Sequence, residues 1–230
     1  MTAALAPAGP AVRTSARTAG ALILAGTGVE LLAEIAHPHA VPPNDHAAVF
    51  AEYAGSTGWL WVHLAQFAAA AVVVAGFVAL YHRLAAGGPT LLDRLALLAA
   101  GGTLAAIMFD MAVDGVALKH AVDAWAAAAP ADRATRFDAA ETVRWLEWSA
   151  NGFFKILLGL TAAAFGASLA RATGTRLHGL AGLAAGALLV AAGVQVGLEG
   201  FTPSLLPLIG SLRLAALAVA LVVRPAPRHP

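Results

Sequence analysis

Polar side chains occur in pairs, four residues apart, within three otherwise apolar stretches of the sequence. The pairs are Glu30 with Glu34, Asp110 with Asp114, and Gln195 with Glu199. A spacing of four residues places both members of a pair on one face of a helix. Carboxylates arranged in this way can bind a divalent metal ion or transfer protons to and from a substrate. The pairs are therefore the first candidates for a chemical site.

Two further apolar stretches add histidine, amide and basic side chains. His63 and Gln66 follow Trp59 on one helical stripe. Glu147, Asn151 and Lys155 lie at intervals of four residues on another. A charged group inside a membrane helix costs roughly 2.5–3.5 kcal/mol, so each one requires a partner. The predicted catalytic residues are Glu30, Glu34, His63, Asp110, Asp114, Glu147, Asn151 and Lys155, with Glu199 and Arg213 as further charged groups near them.

Glu34 and His37 form a Glu-x-x-His unit, the spacing found in carboxylate-bridged di-metal bundles. The sequence contains this unit once, so other ligands must come from other helices. The predicted ligands of a divalent metal are Glu34, His37, His63, Asp110 and Asp114. His37, His39 and His46 are a second candidate metal site, and the alternative for them is an exposed, solvated loop. Haem is not expected, because only His63 lies well inside an apolar stretch.

The composition shows which solvent surrounds these residues. Of the 230 residues, 60% are hydrophobic and only 12% are charged, whereas a soluble domain carries roughly 25% charged residues. A helix of roughly 20 apolar residues crosses a bilayer. Six stretches meet this length, which predicts an all-α, polytopic transmembrane bundle of about six helices. The predicted spans are 17–36, 59–81, 95–113, 145–169, 180–198 and 205–223.

The distribution of basic residues predicts the orientation of this bundle. With the N-terminus inside, the cytoplasmic segments hold eight Lys and Arg residues and the outer segments hold four, so both termini are expected in the cytoplasm. The four outer residues are Lys119, Arg133, Arg136 and Arg144. The predicted organisation is a tail at 1–16, one membrane domain at 17–223 and a tail at 224–230, in a multi-pass plasma-membrane protein.

The two predicted outer loops are 37–57 and 114–144. Asp45 is a plausible N-cap for a short helix in the first loop, and 131–143 is expected to form a helix lying in the interface. Because the predicted site residues cluster at the outer ends of the spans, we expect an outward-opening polar pocket above an apolar plug. The alternative is a set of structural ion pairs. The outer tryptophans, which are Trp59, Trp61, Trp145 and Trp148, are expected to form an interfacial aromatic belt.

Two motifs carry a resemblance to other membrane proteins. The segment 44–53, leading into Trp59, His63 and Gln66, and the segment 143–148, followed by Asn151 and Gly152, resemble an uncharacterised family of small six-helix integral membrane proteins of actinobacteria. The resemblance implies the same architecture and a plasma-membrane location. It implies no activity and no site residue.

These patterns favour a membrane enzyme that performs metal-assisted or acid–base chemistry on a lipid-like or small amphipathic substrate. The alternatives are a proton- or cation-coupled transporter of small molecules and a non-catalytic membrane subunit. The net charge of +1 gives no electrostatic basis for binding nucleic acid, so the expected partners are the lipid bilayer and an amphipathic ligand. The absence of cysteine excludes disulfides and thiolate metal sites. The oligomeric state does not follow from the sequence.

Overall fold

A computed structural model describes residues 16–172, 174–201 and 205–223. These residues form seven helices and no strand, which confirms the all-α prediction. The helices are α1 (Ala16–Ala36), α2 (His46–Gly55), α3 (Trp59–Leu84), α4 (Leu91–Ala126), α5 (Arg133–Arg171), α6 (Arg176–Glu199) and α7 (Leu206–Val223). The predicted tails fall outside the described residues, except for Ala16.

Five helices, α1 and α3 to α6, are long and apolar enough to cross a membrane. The bundle also exposes large aliphatic side chains on its outer faces, including Leu32, Ile35, Leu98 and Leu198. Apolar surface of this extent is typical of lipid contact and would not be stable in water. The described chain is therefore compatible with a membrane-embedded bundle. Helix α7 is also apolar but is shorter than the other five.

The predicted outer loop 114–144 is wrong over most of its length. Helix α4 continues to Ala126, and α5 begins at Arg133, so the connection consists of residues 127–132. The expected interfacial helix at 131–143 is the first part of α5, which runs on for 39 residues. The apolar stretch of a helix can be shorter than the helix itself, because the backbone hydrogen bonds form with polar side chains as well. A span predicted from hydropathy therefore ends before the helix does. The short helix α2 is confirmed, with the Asp45 side chain accepting a hydrogen bond from the Ala48 N–H.

The main apolar core joins α1 and all of the helices from α3 to α7. At its centre the rings of Phe77 and Phe165 stack with their centroids 5.2 Å apart. A smaller apolar cluster, formed by Ala70, Ile107 and Phe154, links α3, α4 and α5. Each of these three residues lies within about one helical turn of a polar residue on the same helix, namely Gln66, Asp110 and Asn151. This apolar cluster therefore adjoins the polar residues of all three helices.

Helices α5 and α6 pack against each other through glycines spaced seven residues apart. Gly152, Gly159 and Gly166 of α5 face Gly193, Gly186 and Gly179 of α6, with main-chain atoms in close approach. A Cβ atom at Gly159 would lie only 2.6 Å from the Gly186 carbonyl oxygen. Small residues allow such close backbone packing in membranes, where dispersion contacts stabilise helix pairs. This contact holds α5, which carries several predicted site residues, in position.

We expect Gly159→Ala to destabilise the bundle by about 1–3 kcal/mol, because the added methyl group must push α6 away. Gly28→Ala is the matched control, since a Cβ there has no neighbour within 4 Å. That substitution should be neutral or stabilise by up to about 1 kcal/mol, because alanine favours helix. Unfolding by sodium dodecyl sulfate in mixed micelles measures both. Equal stability of the two variants would contradict the role of this glycine contact.

Candidate metal centre

The polar residues of α1, α3, α4 and α5 meet at one end of the bundle, where α1 ends and α3 begins. We call this the site end. His63, Asp110, Asp114 and Glu147 are all buried there. The structure therefore brings these four predicted residues together.

The two ring nitrogens of His63 have different partners. Nδ1 lies 2.7 Å from the Trp59 carbonyl oxygen, and Nε2 lies 3.0 Å from Asp114 Oδ2. A carbonyl oxygen only accepts, so Nδ1 must carry the hydrogen. Nε2 of a neutral imidazole then has a lone pair that faces a carboxylate oxygen. A positive centre, either a proton or a metal ion, is required between Nε2 and Oδ2.

His37 joins this pair from the segment that follows α1. One candidate ligand atom from each of His37, His63 and Asp114 lies within 4.8 Å of the other two. The His37 Nδ1 lies 3.0 Å from the Pro38 carbonyl oxygen, so this imidazole is also oriented by a main-chain acceptor. Burial lowers the pKa of His37 below its usual range, because desolvation disfavours the charged ring. Burial therefore favours the neutral imidazole, which is the form that binds a metal.

The backbone of α4 changes locally at Asp114. Residues Val113–Leu118 form a turn of π-helix, a feature that occurs frequently at functional sites. The Trp59 indole N–H donates to the Gly115 carbonyl oxygen in this turn, at 3.0 Å. Gly115 also lets α4 approach closely, because a Cβ there would lie 3.1 Å from the His63 Cβ. Trp59 thus orients His63 through its carbonyl group and the π-turn through its indole ring.

Two carboxylate oxygens beside His63 have no hydrogen-bond partner. These are Asp110 Oδ1 and Asp114 Oδ1, both buried. Asp110 Oδ2 accepts a hydrogen bond from Asn151 Nδ2 at 3.1 Å, and Asn151 Oδ1 in turn accepts from the Lys155 ammonium group. A buried acceptor without a partner costs about 1–3 kcal/mol. The two oxygens therefore indicate that a cation or a polar ligand belongs at this place.

Arg144 was expected in an outer loop, and this prediction is wrong. It lies in α5, is 2% exposed, and binds the equally buried Glu147 at 2.9 Å. Its guanidinium group also lies over the rings of Tyr53 and Phe201. The spacing of three residues between Arg144 and Glu147 is the sequence signal that identifies the pair. Burial raises the pKa of Tyr53 above its usual range, so its phenol stays protonated beside Arg144.

The other predicted site residues lie farther out. Glu30 and Lys155 are half-buried and interact electrostatically with each other and with Asp110. Glu34 is exposed and is not in the histidine and aspartate cluster, which leaves His37 as the ligand from this part of the chain. Glu199 and Arg213 are also exposed.

The remaining loop histidines do not join His37 in a second metal site. His46 Nδ1 binds Glu141 Oε1 at 2.8 Å, and the His46 ring packs against Trp148. His39 is exposed. His37 instead packs against the ring of His63, with centroids 5.3 Å apart. Among the described residues, the proposed loop site is therefore not assembled.

Apolar side chains pack over the site end, where an outward-opening pocket was expected. Phe50 and Tyr53 of α2 pack with Trp59, Leu118 and other apolar residues into a buried cluster. This aromatic cap, made by α2, the end of α4 and the start of α5, closes the site end. The expected aromatic belt is also wrong for Trp59 and Trp148, which are buried, whereas Trp61 and Trp145 are exposed.

No protein-family profile, curated protein or solved structure matches this chain. The function must therefore be argued from the site alone.

Proposed function

We propose that this protein is a metal-dependent membrane enzyme that activates water at His37, His63 and Asp114. The observation that carries the proposal is the geometry of His63. Its Nδ1–H is committed to the Trp59 carbonyl group, so its Nε2 lone pair faces Asp114 Oδ2 at 3.0 Å. His63 and Asp114 would hold a metal ion in place of the proton that these two atoms otherwise share.

The orientation and the chemistry of this donor set support a divalent metal. A backbone carbonyl accepts the Nδ1–H of each histidine, which is how metal-binding histidines are commonly held. Two imidazoles and one carboxylate are the ligands of catalytic zinc sites, which keep a further position for water. Bonds of about 2.1 Å in a tetrahedron would place the ligand atoms roughly 3.4 Å apart. The widest separations, up to 4.8 Å, would have to shorten, and the 3.0 Å between His63 Nε2 and Asp114 Oδ2 would have to lengthen.

The neighbouring side chains supply the other parts of a hydrolytic reaction. A bound divalent ion lowers the pKa of water to near 7. Asp110 lies one turn from Asp114 on the same face of α4 and has a buried, unpartnered oxygen, so it is placed to accept the water proton. With an ion held there, the activated water would supply the nucleophile for an ester or amide carbonyl, and Asp110 would return the proton to the departing alcohol or amine. Asn151 and Lys155 orient Asp110 and balance its charge.

The route of entry favours a lipid-like substrate. The aromatic cap covers the site end, whereas Glu30 and Lys155 are half-buried at the flank of the bundle. A substrate that already lies in the bilayer can therefore approach from the side, with its polar group toward Asp110.

We expect purified wild-type protein to bind one divalent ion per chain, measured by elemental analysis after dialysis against zinc or manganese. Loss of one ligand in His63→Ala or Asp114→Asn should weaken binding by at least about a hundredfold. His120→Ala and Asp138→Asn are matched controls, because both residues are exposed and lie outside the cluster. Wild-type protein that binds no metal, or ligand variants that bind it as tightly as the controls, would overturn the proposal.

Uptake of a solute would need polar groups that continue through the bundle. The described polar pairs beyond the site are closed on themselves: Thr103 binds Thr161 at 3.0 Å, and Asp93 accepts from Ser168 at 2.7 Å. These two contacts join α4 to α5, and each pairs its polar groups locally, which supports the enzyme over the transporter.

For the topology, we propose six crossings with both termini in the cytoplasm and α7 as the sixth. The excess of arginine in the predicted inner segments supports this orientation. The chain has no native cysteine, so Ala86→Cys, Ala129→Cys and Val223→Cys report their own side of the membrane. In intact cells, a membrane-impermeant maleimide should label only Ala129→Cys. Labelling of Val223→Cys from outside would mean that α7 does not cross.

A further inference from the structure

A second site lies at the surface beside α2, and its lining contains neither His37, His63 nor Asp114. It is a cavity of about 600 Å³ between the start of α2, the first part of α5 and the end of α6. This volume is within the range of small-molecule sites. Its walls include His46, Glu141, Trp145, Trp148, Leu198 and Glu199.

The charge of the cavity favours a cation. Asp45, Glu141 and Glu199 line it, and the described lining residues include no lysine or arginine. Asp45 caps α2, which leaves the two glutamates for a ligand. Helix α6 ends at Glu199, so the negative end of its dipole is also at this place. One oxygen of Glu141 accepts a hydrogen bond from His46. A phosphate or carboxylate ligand would be repelled here.

The aromatic walls favour a cation with a weakly hydrated surface. Trp145 and Trp148 meet edge to face, with centroids 4.6 Å apart and planes at 74°. Arg144 already covers the Trp148 ring, whereas Trp145 is 55% exposed and offers an accessible ring. Indole is the best ring for cation–π contact, and alkylated ammonium ions are the ligands typically held by aromatic walls. An inorganic cation would gain less, because it keeps its water.

We propose that this cavity binds an alkylated ammonium cation, with its charge between Glu141, Glu199 and the Trp145 ring. Leu198 is 80% exposed at the edge of the cavity, where an attached alkyl chain would contact it. The proposal depends on neither the metal nor the reaction at His63. It therefore stands or fails separately from the proposed enzyme.

Choline and 3,3-dimethylbutanol are the probes, because they have the same shape and differ in the positive charge. Saturation-transfer NMR of their methyl protons measures binding to the full chain in maltoside micelles. We expect choline to bind at least about fivefold more tightly than the neutral alcohol. Equal binding of the two probes, or no binding of choline at about 100 mM, would overturn the proposal.

Variants locate the bound probe. Glu141→Gln keeps an acceptor for His46, and Trp145→Leu removes an exposed ring, so both variants should fold. Each should weaken choline binding by roughly threefold or more. Asp138→Asn on the same helix and Trp61→Leu on α3 are matched controls, since both residues are exposed and lie outside the cavity. If the controls weaken binding as much as the lining variants, choline binds elsewhere and the proposal fails.

The same titration with dodecyltrimethylammonium, below its micellar concentration, distinguishes two sources of the cation. Binding at least tenfold tighter than choline, and reduced by Leu198→Ser, supports a membrane amphiphile. Similar binding of both probes supports a water-soluble ammonium ion.

Discussion

Replacing Arg144 by methionine should lower the free energy of unfolding by about 3–5 kcal/mol, the largest loss of stability that we expect from a single substitution. The reason is the burial of its partner: Glu147 is 2% exposed and accepts a hydrogen bond from Arg144 at 2.9 Å. Without Arg144, the Glu147 carboxylate is left in an apolar environment without its counter-charge. The free energy of unfolding in mixed micelles measures the loss.

The double variant Arg144→Met with Glu147→Leu separates the cost of an orphaned charge from the value of the pair. An apolar replacement of a buried ion pair is often neutral or stabilising, so we expect most of the stability to return. Arg136→Met, an exposed position on the same helix, controls for removal of an arginine and should change stability by less than about 0.5 kcal/mol. A double variant as unstable as Arg144→Met would show that the guanidinium contacts with Tyr53 and Phe201, and not the pair, stabilise this region.

The fold was largely predictable because the length of an apolar stretch is a strong signal of a membrane-crossing helix. All five long apolar helices correspond to predicted spans, and Asp45 identified the start of α2. The ends of α4 and α5 were not predictable in this way. Both helices leave the apolar zone and continue in polar sequence, where contacts such as those of Phe50 with Trp125 and Phe137 stabilise them.

The candidate site was predictable in composition but not in geometry. Spacing of four identified Asp110 and Asp114, and intervals of four identified Glu147, Asn151 and Lys155. Periodicity alone could not separate Glu34, which is exposed, from His37, which lies beside His63. Helical periodicity fails for His37 because α1 ends at Ala36, and the chain then turns His37 back toward α3.

The π-turn at Asp114 had no signal in the sequence. It arises where Trp59 donates to the Gly115 carbonyl and where glycine permits contact with His63, and both contacts are between helices. A local sequence pattern cannot show that the Trp59 indole will donate to a carbonyl group 56 residues away in the sequence. The assignment of Arg144 to an outer loop failed for a similar reason. The distribution of basic residues does not show that its partner, Glu147, lies in the adjacent predicted span.

Asp110→Asn should retain the metal and lose the reaction, which distinguishes a proton acceptor from a ligand. Removing a general base typically lowers turnover by about 10²–10⁴-fold. Asparagine has the shape of aspartate and can still accept from Asn151, so we expect the fold to persist. The measurement is release of fatty acid from a panel of lipid esters and amides in mixed micelles, with metal content determined on the same samples.

Asp93→Asn is the matched control, because Asp93 is also a buried carboxylate of α4 but binds Ser168 and Thr90 at the opposite end. It should change stability and leave turnover per folded molecule unchanged. Turnover by Asp110→Asn equal to that of wild type would remove Asp110 as the base and leave the exposed Glu34 or the half-buried Glu30 as the next carboxylates to substitute. Loss of metal from Asp110→Asn would instead make Asp110 a fourth ligand, and the unpartnered Oδ1 of this residue would then be a metal-binding atom.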